Sequence, residues 1–312
     1  MPFTLSHPAA VLPLMRRPFV PAALVAGAVA PDVPYFLARL GVSETSSQDW
    51  YGPLLNATET HSFDAGLLVN LPLAVVLVAA HRMLRAPVTA LLPSGLCLPE
   101  PERVPGLRAK VRYTVWLLVS ALIGIASHLV WDSFTHGDGF LVTHVEVLRA
   151  SALGGLTVAR LLQYASTAFG LAAVGLHLWR RRDRLRTQGG TVARLGPVMR
   201  WSVVALLVLS PVLGGAVHAR ADFNAYRHVT EVDYSRPTTV DLGDGASETT
   251  YPSRTVRAPW GTLAEGVLTG VTTRAGASFA VALLLYATAW QIGAVAPRPT
   301  RRTAAVPATD GT

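Results

Sequence analysis

The stretch VRYTVWLLVSALIGIASHLVWDSFTH, residues 111–136, decides the reading of the whole chain. Residues 111–131 are dominated by apolar side chains. About twenty such residues let a helix cross a bilayer with every backbone N–H and C=O paired inside the segment. At the end of the run come His128, Asp132 and His136, spaced four apart. On a helix that spacing puts imidazole and carboxylate on one face, with a second imidazole nearly in line if the helix runs one turn further.

Four more stretches meet the same criterion: 63–84, 161–179, 201–217 and 267–290, the last weakened by Arg274. Another apolar stretch, 19–40, is cut by Pro21, Pro31 and Pro34 and contains Asp32, so it reads as a helix over 21–30 that stops at the Pro31-Asp32 pair. Ahead of it, 7–15 is predicted as a short helix with Ser6 as N-cap and Pro8 at the first helical position. The two form a hairpin turning at Arg16, Arg17 and Pro18, with His7 and Asp32 at the same end. The predicted fold is all-α: a polytopic transmembrane helix bundle of five full spans plus an N-terminal helical hairpin. Residues 1–15 lack a basic segment ahead of their apolar residues and carry Pro2, Pro8 and Pro13, unlike a cleaved signal peptide. They are expected to remain in the mature protein.

Composition agrees. Hydrophobic residues make up 51% and charged residues 15% of the 312, against roughly a quarter charged in a soluble domain. The net charge of +8 sits mostly beside the apolar blocks. That is juxtamembrane positive charge, not a nucleic-acid surface, and no nucleic-acid partner is expected. Cys97 is the only cysteine, which rules out an intramolecular disulfide and a cysteine zinc cage. Lys110 is the only lysine, and richness in Ala, Val and Arg points to a GC-rich bacterial genome. The basic loops after the first and third full spans place those loops in the cytoplasm and 132–160 and 219–260 outside, for a multi-pass protein of the bacterial inner membrane. The resulting division is a membrane core over 1–220, an extracytoplasmic loop over 221–260 whose stretch 234–259 is either a small lid or disordered, a last span over 261–295, and a disordered cytoplasmic tail over 296–312.

Ionisable side chains at membrane depth usually face the protein interior and mark function. Here they are His7, Asp32, His61 with Asp64, and the His128–Asp132–His136 run. Alternation puts His61 at the outer start of the first full span and His128 with Asp132 at the outer end of the second, so independent segments deliver imidazole and carboxylate to one level. Such ligands without thiolates suit zinc, manganese or iron(II) in a catalytic or mixed-ligand site. Two blander readings stand beside this one: a His–Asp pair four apart also caps a span end, and Asp32 behind a proline also fits a turn.

Several motifs together carry a resemblance. MPFTLSHPAA at 1–10, Ala30-Pro31-Asp32 followed by Tyr35-Phe36, Thr60-His61-Ser62, SHLVWDSFTH at 127–136 and LLQYAS at 161–166 resemble the bacterial membrane family called domain of unknown function 4184, over roughly the first 220 residues. The same skeleton is similar to inner-membrane metal-dependent hydrolases and, more distantly, to zinc-dependent phospholipases C. Carried over position by position, that likeness implies His7, Asp32, His61, His128 and Asp132 as metal ligands. Where the membrane hydrolases commonly have a second histidine before the His-Ser, this chain has Thr58-Glu59-Thr60, so either Glu59 substitutes as an oxygen ligand or a ligand has been lost.

The resemblance thus implies a divalent metal, zinc first, that activates water against a phosphoester or other ester of a lipid-like substrate drawn from the membrane. Glu59 or Asp64 would be the general base and His136 a further ligand or proton shuttle. Gln163 and Ser166 are expected to orient the ligands. The competing class is a non-enzymatic membrane protein, or an ion or proton transporter, in which the same residues pin helices or conduct. Nothing in the sequence names a protein partner.

Overall fold

Five long α-helices dominate the computed structural model, which describes residues 4–295 apart from 44, 46–48, 50, 65, 94–95, 97, 99–103, 154–155, 187–194 and 244–245. They are α5 (Gly66–Leu91), α6 (Leu107–Thr135), α9 (Val158–Arg186), α10 (Pro197–Val217) and α12 (Trp260–Val295). The shortest has 21 residues, and at 1.5 Å per residue it rises about 32 Å, enough for the hydrocarbon core. The predicted tail over 296–312, Cys97 and several basic loop residues lie outside the described residues.

The chain is a multi-pass membrane protein, as the side chains of these helices make plain. On α10, Val198, Leu206, Leu209, Val212, Leu213 and Val217 are all exposed, and Gly215 is the helix's one buried residue. An apolar helix bare on nearly every side needs lipid around it. Both α6 and α12 run past the apolar stretches read from sequence, because the intrahelical ladder continues through polar residues at the membrane rim. Arg274, which weakened the last span on paper, is paired with Asp222 of the short helix α11 (Ala219–Tyr226).

The N-terminal hairpin departs from expectation in two ways. Residues Thr4–Leu14 form a 3-10 helix, not an α-helix. Pro8 and Pro13 each lack an N–H, and a proline inside an α-helix also clashes with the carbonyl four residues back. After α1 (Pro21–Val29) the chain does not stop at Pro31-Asp32. It passes through a 3-10 turn, Ala30–Asp32, into α2 (Val33–Ala38), with Pro31 and Pro34 each in the first turn of its element, where a missing N–H breaks no bond. The broken segment 21–38 is still apolar and long enough to count as a sixth candidate span.

Helices α1, α5 and α6 share the main apolar core, built from Ala23, Ala26, Ala30, Ala74, Val78, Ala121, Ile125 and Leu129. Small residues let α1 and α6 touch backbone to backbone, as membrane helices with glycine interfaces do. A Cβ on Gly27 would run into the Ala121 carbonyl, and one on Gly124 into the Leu24 carbonyl. The 3-10 segment lies across this pair and along α9, where Gly170 makes room for Ser6.

Short helices α3 (Gly52–Leu55) and α4 (Ala57–Thr60) precede α5, and α7 (Phe140–His144) and α8 (Glu146–Arg149) follow α6. The outer loop contains four strands, the last three within the stretch read as a lid or as disorder: β1 (His228–Val232), β2 (Thr238–Gly243), β3 (Ala246–Thr250) and β4 (Ser253–Arg257). Antiparallel β1–β4 and β2–β3 pairs nest into one ribbon. Opposed Glu231 and Arg254 pair at 2.9 Å, and Tyr234 packs on Tyr251 at 5.2 Å. Between the pairs, the Ser235 hydroxyl and N–H donate to Asp233 and hold its carboxyl below the usual range.

Candidate metal centre

Four separate segments bring the site together. His128 and Asp132 project from one face of α6, as their spacing requires, and Asp32 closes the 3-10 turn after α1. His61 caps the C-terminus of α4, and His7 comes from the first 3-10 segment. His7, Asp32, His128 and Asp132 are buried, and the His61 side chain is 19% exposed.

The contacts converge. His128 Nε2 lies 3.1 Å from Asp132 Oδ2 and 3.7 Å from Asp32 Oδ1, and His61 Nε2 lies 3.6 Å and 3.5 Å from the same two atoms. The other Asp132 oxygen, Oδ1, is 3.6 Å from His7 Nε2 and 3.5 Å from His136 Nδ1. The His7 and His128 rings stack at 3.8 Å.

None of these approaches is a hydrogen bond. Both oxygens of Asp32 and of Asp132, Nε2 of His61 and His128, and both ring nitrogens of His7 are buried without a hydrogen-bond partner. Even the 3.1 Å His128–Asp132 approach lacks the alignment. Every ion-pair partner of Asp32 and Asp132 among the described residues is a histidine. A buried carboxylate in that state is costly unless it is paired or coordinates a metal. Two ligand atoms about 2.1 Å from one zinc at the tetrahedral angle stand about 3.4 Å apart. The observed nitrogen–oxygen separations cluster about that edge.

The other ring nitrogens are spoken for. His128 Nδ1 donates to the Ala28 carbonyl at 2.8 Å, and His61 Nδ1 to the Ala57 carbonyl at 2.9 Å. Since a carbonyl only accepts, Nδ1 carries a proton, and in the neutral imidazole each Nε2 then turns a lone pair inward, as metal-ligating histidines do. The α1–α6 glycine contact is what brings Ala28 within reach of His128.

Sequence reading missed a further layer. Thr60 Oγ1 donates to the Pro31 carbonyl at 3.0 Å, tying the His61 turn to the Asp32 turn. Buried Asn70 of α5 donates to the Thr60 carbonyl at 2.6 Å and to the Gly66 carbonyl at 2.8 Å. An asparagine inside an apolar span was the signal available. Asn70→Ala should cost about 1–3 kcal/mol and weaken metal binding about 10–100-fold through the displaced His61. Isothermal titration of the chelator-stripped variant reads this, and unchanged affinity would show that the turn holds itself.

Gln163 and Ser166 do not take the expected orienting role. Gln163 accepts from Arg160 at 2.9 Å, and the Ser166 hydroxyl donates to the Gln163 backbone carbonyl. Glu59 and Asp64, expected as bases, are exposed on either side of His61 in sequence and make no ion pair with the cluster among the described residues. His136 stands at its edge with 22% of its side chain exposed.

A family model described as domain of unknown function 4184 (DUF4184) matches residues 1–288. The chain belongs to the DUF4184 family. The DUF4184 match extends past the first 220 residues that carried the resemblance, through the β ribbon and most of α12. No curated protein and no solved structure matches the chain.

Proposed function

We propose that this protein is a metal-dependent hydrolase of the bacterial cell membrane, acting on a phosphoester or other ester of a lipid-like substrate. One observation carries the reading: Asp32 Oδ1, Asp132 Oδ2 and the Nε2 atoms of His61 and His128 are buried and face one another at coordination-edge distances without a hydrogen bond among them. Asp32, His61, His128 and Asp132 hold the ion, zinc by preference for this nitrogen and oxygen set. A divalent ion there lowers the pKa of a water and polarises a phosphoryl or ester oxygen.

The protein's own groups do the rest. The Ala28 and Ala57 carbonyls lock the two imidazoles, and burial keeps bulk water from the carboxylates. Exposed Glu59 and Asp64, close to His61 in the chain, are placed to pass a proton to solvent. Phe63 and Phe140 are exposed with rings 6.0 Å apart, and Phe140 stacks on His144 at 4.3 Å. Such an aromatic rim next to the His61 and His136 edge suits a substrate with an apolar tail.

Positive-inside orientation puts the β ribbon and the site at the outer face. A cysteine placed at Thr239 of β2, in a Cys97→Ala background, should react with an impermeant maleimide on intact cells. Labelling only after lysis would move the site to the cytoplasmic face.

Elemental analysis of purified protein tests the metal directly, with zinc or manganese expected in stoichiometric amount. Free zinc at a hundred times its dissociation constant stabilises by about 2.7 kcal/mol, so chelation should lower Tm by on the order of 5 °C. A folded protein that carries no metal and whose Tm ignores chelators would end the hydrolase reading.

A further inference from the structure

Away from the metal centre, the lipid-facing side of α10 and α12 carries a groove of about 300 Å³. It is lined by Leu40 just past α2, Leu206 and Ser210 of α10, and Ser278, Val281 and Leu285 of α12. The end of α2 docks there because Gly276 leaves room for the Phe36 ring. Helices α10 and α12 run antiparallel, with Gly214 against Ser278 and Gly215 against Val271. Ser210 and Ser278 therefore lie toward the end that carries the β ribbon, and Leu206 and Leu285 lie deeper.

Ser210 is the anomaly. A serine inside a span ordinarily donates to a carbonyl three or four residues back, as Ser202 does to Val198 at 3.0 Å and Ser166 to Gln163 at 3.0 Å. The Ser210 hydroxyl is buried and has no hydrogen-bond partner. That state is costly, and an acceptor brought from outside the chain removes the cost.

On the ribbon side of the serines stands an unanswered charge. Arg39 is exposed, its Nε donates to Thr273 Oγ1 at 3.0 Å, and it makes no ion pair among the described residues. Its neighbour Arg274 is already paired with Asp222. On the other side of the serines, residues 275–295 of α12 carry no charge at all. At 1.5 Å per residue, Ser278 lies about 7.5 Å below Thr273, and Leu285 about 10.5 Å below Ser278. Down the groove come a cation, then hydroxyls, then apolar walls.

We propose that this groove binds one glycerophospholipid. The phosphate sits on the Arg39 guanidinium, whose two Nη groups are directed away from Thr273. The carbonyl of one fatty ester accepts from Ser210, and that acyl chain runs along Leu206, Val281 and Leu285. A second copy of the chain is a poorer occupant, because an apolar helix has its own carbonyls paired and brings neither an acceptor for Ser210 nor an anion for Arg39. Nothing in the site needs a metal, and Arg39 lies about 10 Å along α2 from Asp32. The groove holds a lipid without cleaving it, and it stands or falls apart from the hydrolase reading.

The test uses full-length protein, delipidated in detergent and titrated with dimyristoyl phosphatidylglycerol or with dimyristoylglycerol, with bound lipid counted by native mass spectrometry. Wild type should bind one phospholipid per chain, about tenfold or more tighter than the diacylglycerol, and Arg39→Gln should erase that preference. Ser210→Ala should weaken both lipids about tenfold, yet melt no lower than wild type in lipid-free detergent, because it removes an unpaired hydroxyl. Leu206→Trp fills the groove from an exposed position and should leave no lipid bound. Lipid retained by Leu206→Trp, or phospholipid binding that Ser210→Ala leaves unchanged, overturns the site. Equal affinity of wild type for the two lipids overturns the role of Arg39. A lipid-free dimer of wild type that Leu206→Trp splits into monomers gives the groove to a second copy and overturns the proposal outright.

Discussion

Asp132→Asn should invert its effect on stability according to whether metal is present. With zinc bound, the substitution removes a ligand carboxylate that faces four histidines within 3.6 Å. Affinity should then fall by more than the roughly 100-fold typical of outer-shell changes, and the protein should lose most of the roughly 3 kcal/mol that saturating metal confers. In chelator the sign reverses. The wild-type carboxylate is then a buried charge with two unbonded oxygens, whereas an amide of the same shape carries no charge to desolvate, so the variant should melt above stripped wild type. A plain His–Asp ion pair predicts otherwise, because losing the carboxylate strands a buried imidazolium with or without chelator. Thermal melts of both proteins, each with zinc and with chelator, decide it. Destabilisation of equal size in the two conditions would sink the metal reading.

The second large effect lies away from the centre. Asp222 of α11 reaches Arg274 inside the last span, both largely buried, against Gly270, where any Cβ would collide with the carboxylate. Asp222→Ala leaves a guanidinium unpaired at membrane depth and should cost about 3–5 kcal/mol. Adding Arg274→Met should recover most of that, since an apolar side chain needs no counterion there. Unfolding in detergent by heat or denaturant measures the cycle. A single variant within about 0.5 kcal/mol of wild type, as at an ordinary surface site, would mean that Arg274 reaches the interface unaided.

How far the sequence carried the structure follows from what is local in it. His128 and Asp132 sit one helical turn apart, so their shared face was legible from spacing alone, and five long spans were legible from hydropathy. His7 and Asp32 could be placed together only through the hairpin, and that worked although the 7–15 stretch is 3-10 and the chain continues past Asp32 into α2. Proline positions signalled a disturbance there without stating its geometry. What stayed hidden is pairwise and distant: Gly27 against Gly124, Thr60 to Pro31, and Asn70 reaching back to Thr60. The β ribbon was hidden for a different reason. Its strands are short and their Thr, Val and Glu alternation is mostly exposed, so no apolar face set them apart from a polar loop.

The break after α1 bears on how the protein is made. Nine residues of α1 rise only about 14 Å, roughly half a bilayer, and Ala28, whose carbonyl steers His128, is translated one hundred residues before it. A nascent chain therefore emerges with a broken apolar segment whose first helix alone does not reach across the membrane, and with Asp32 made before His61 and His128 exist to face it. The segment's packing partner α6 is made last of the three core helices, so truncation before about residue 136 should leave the first forty residues more open to protease.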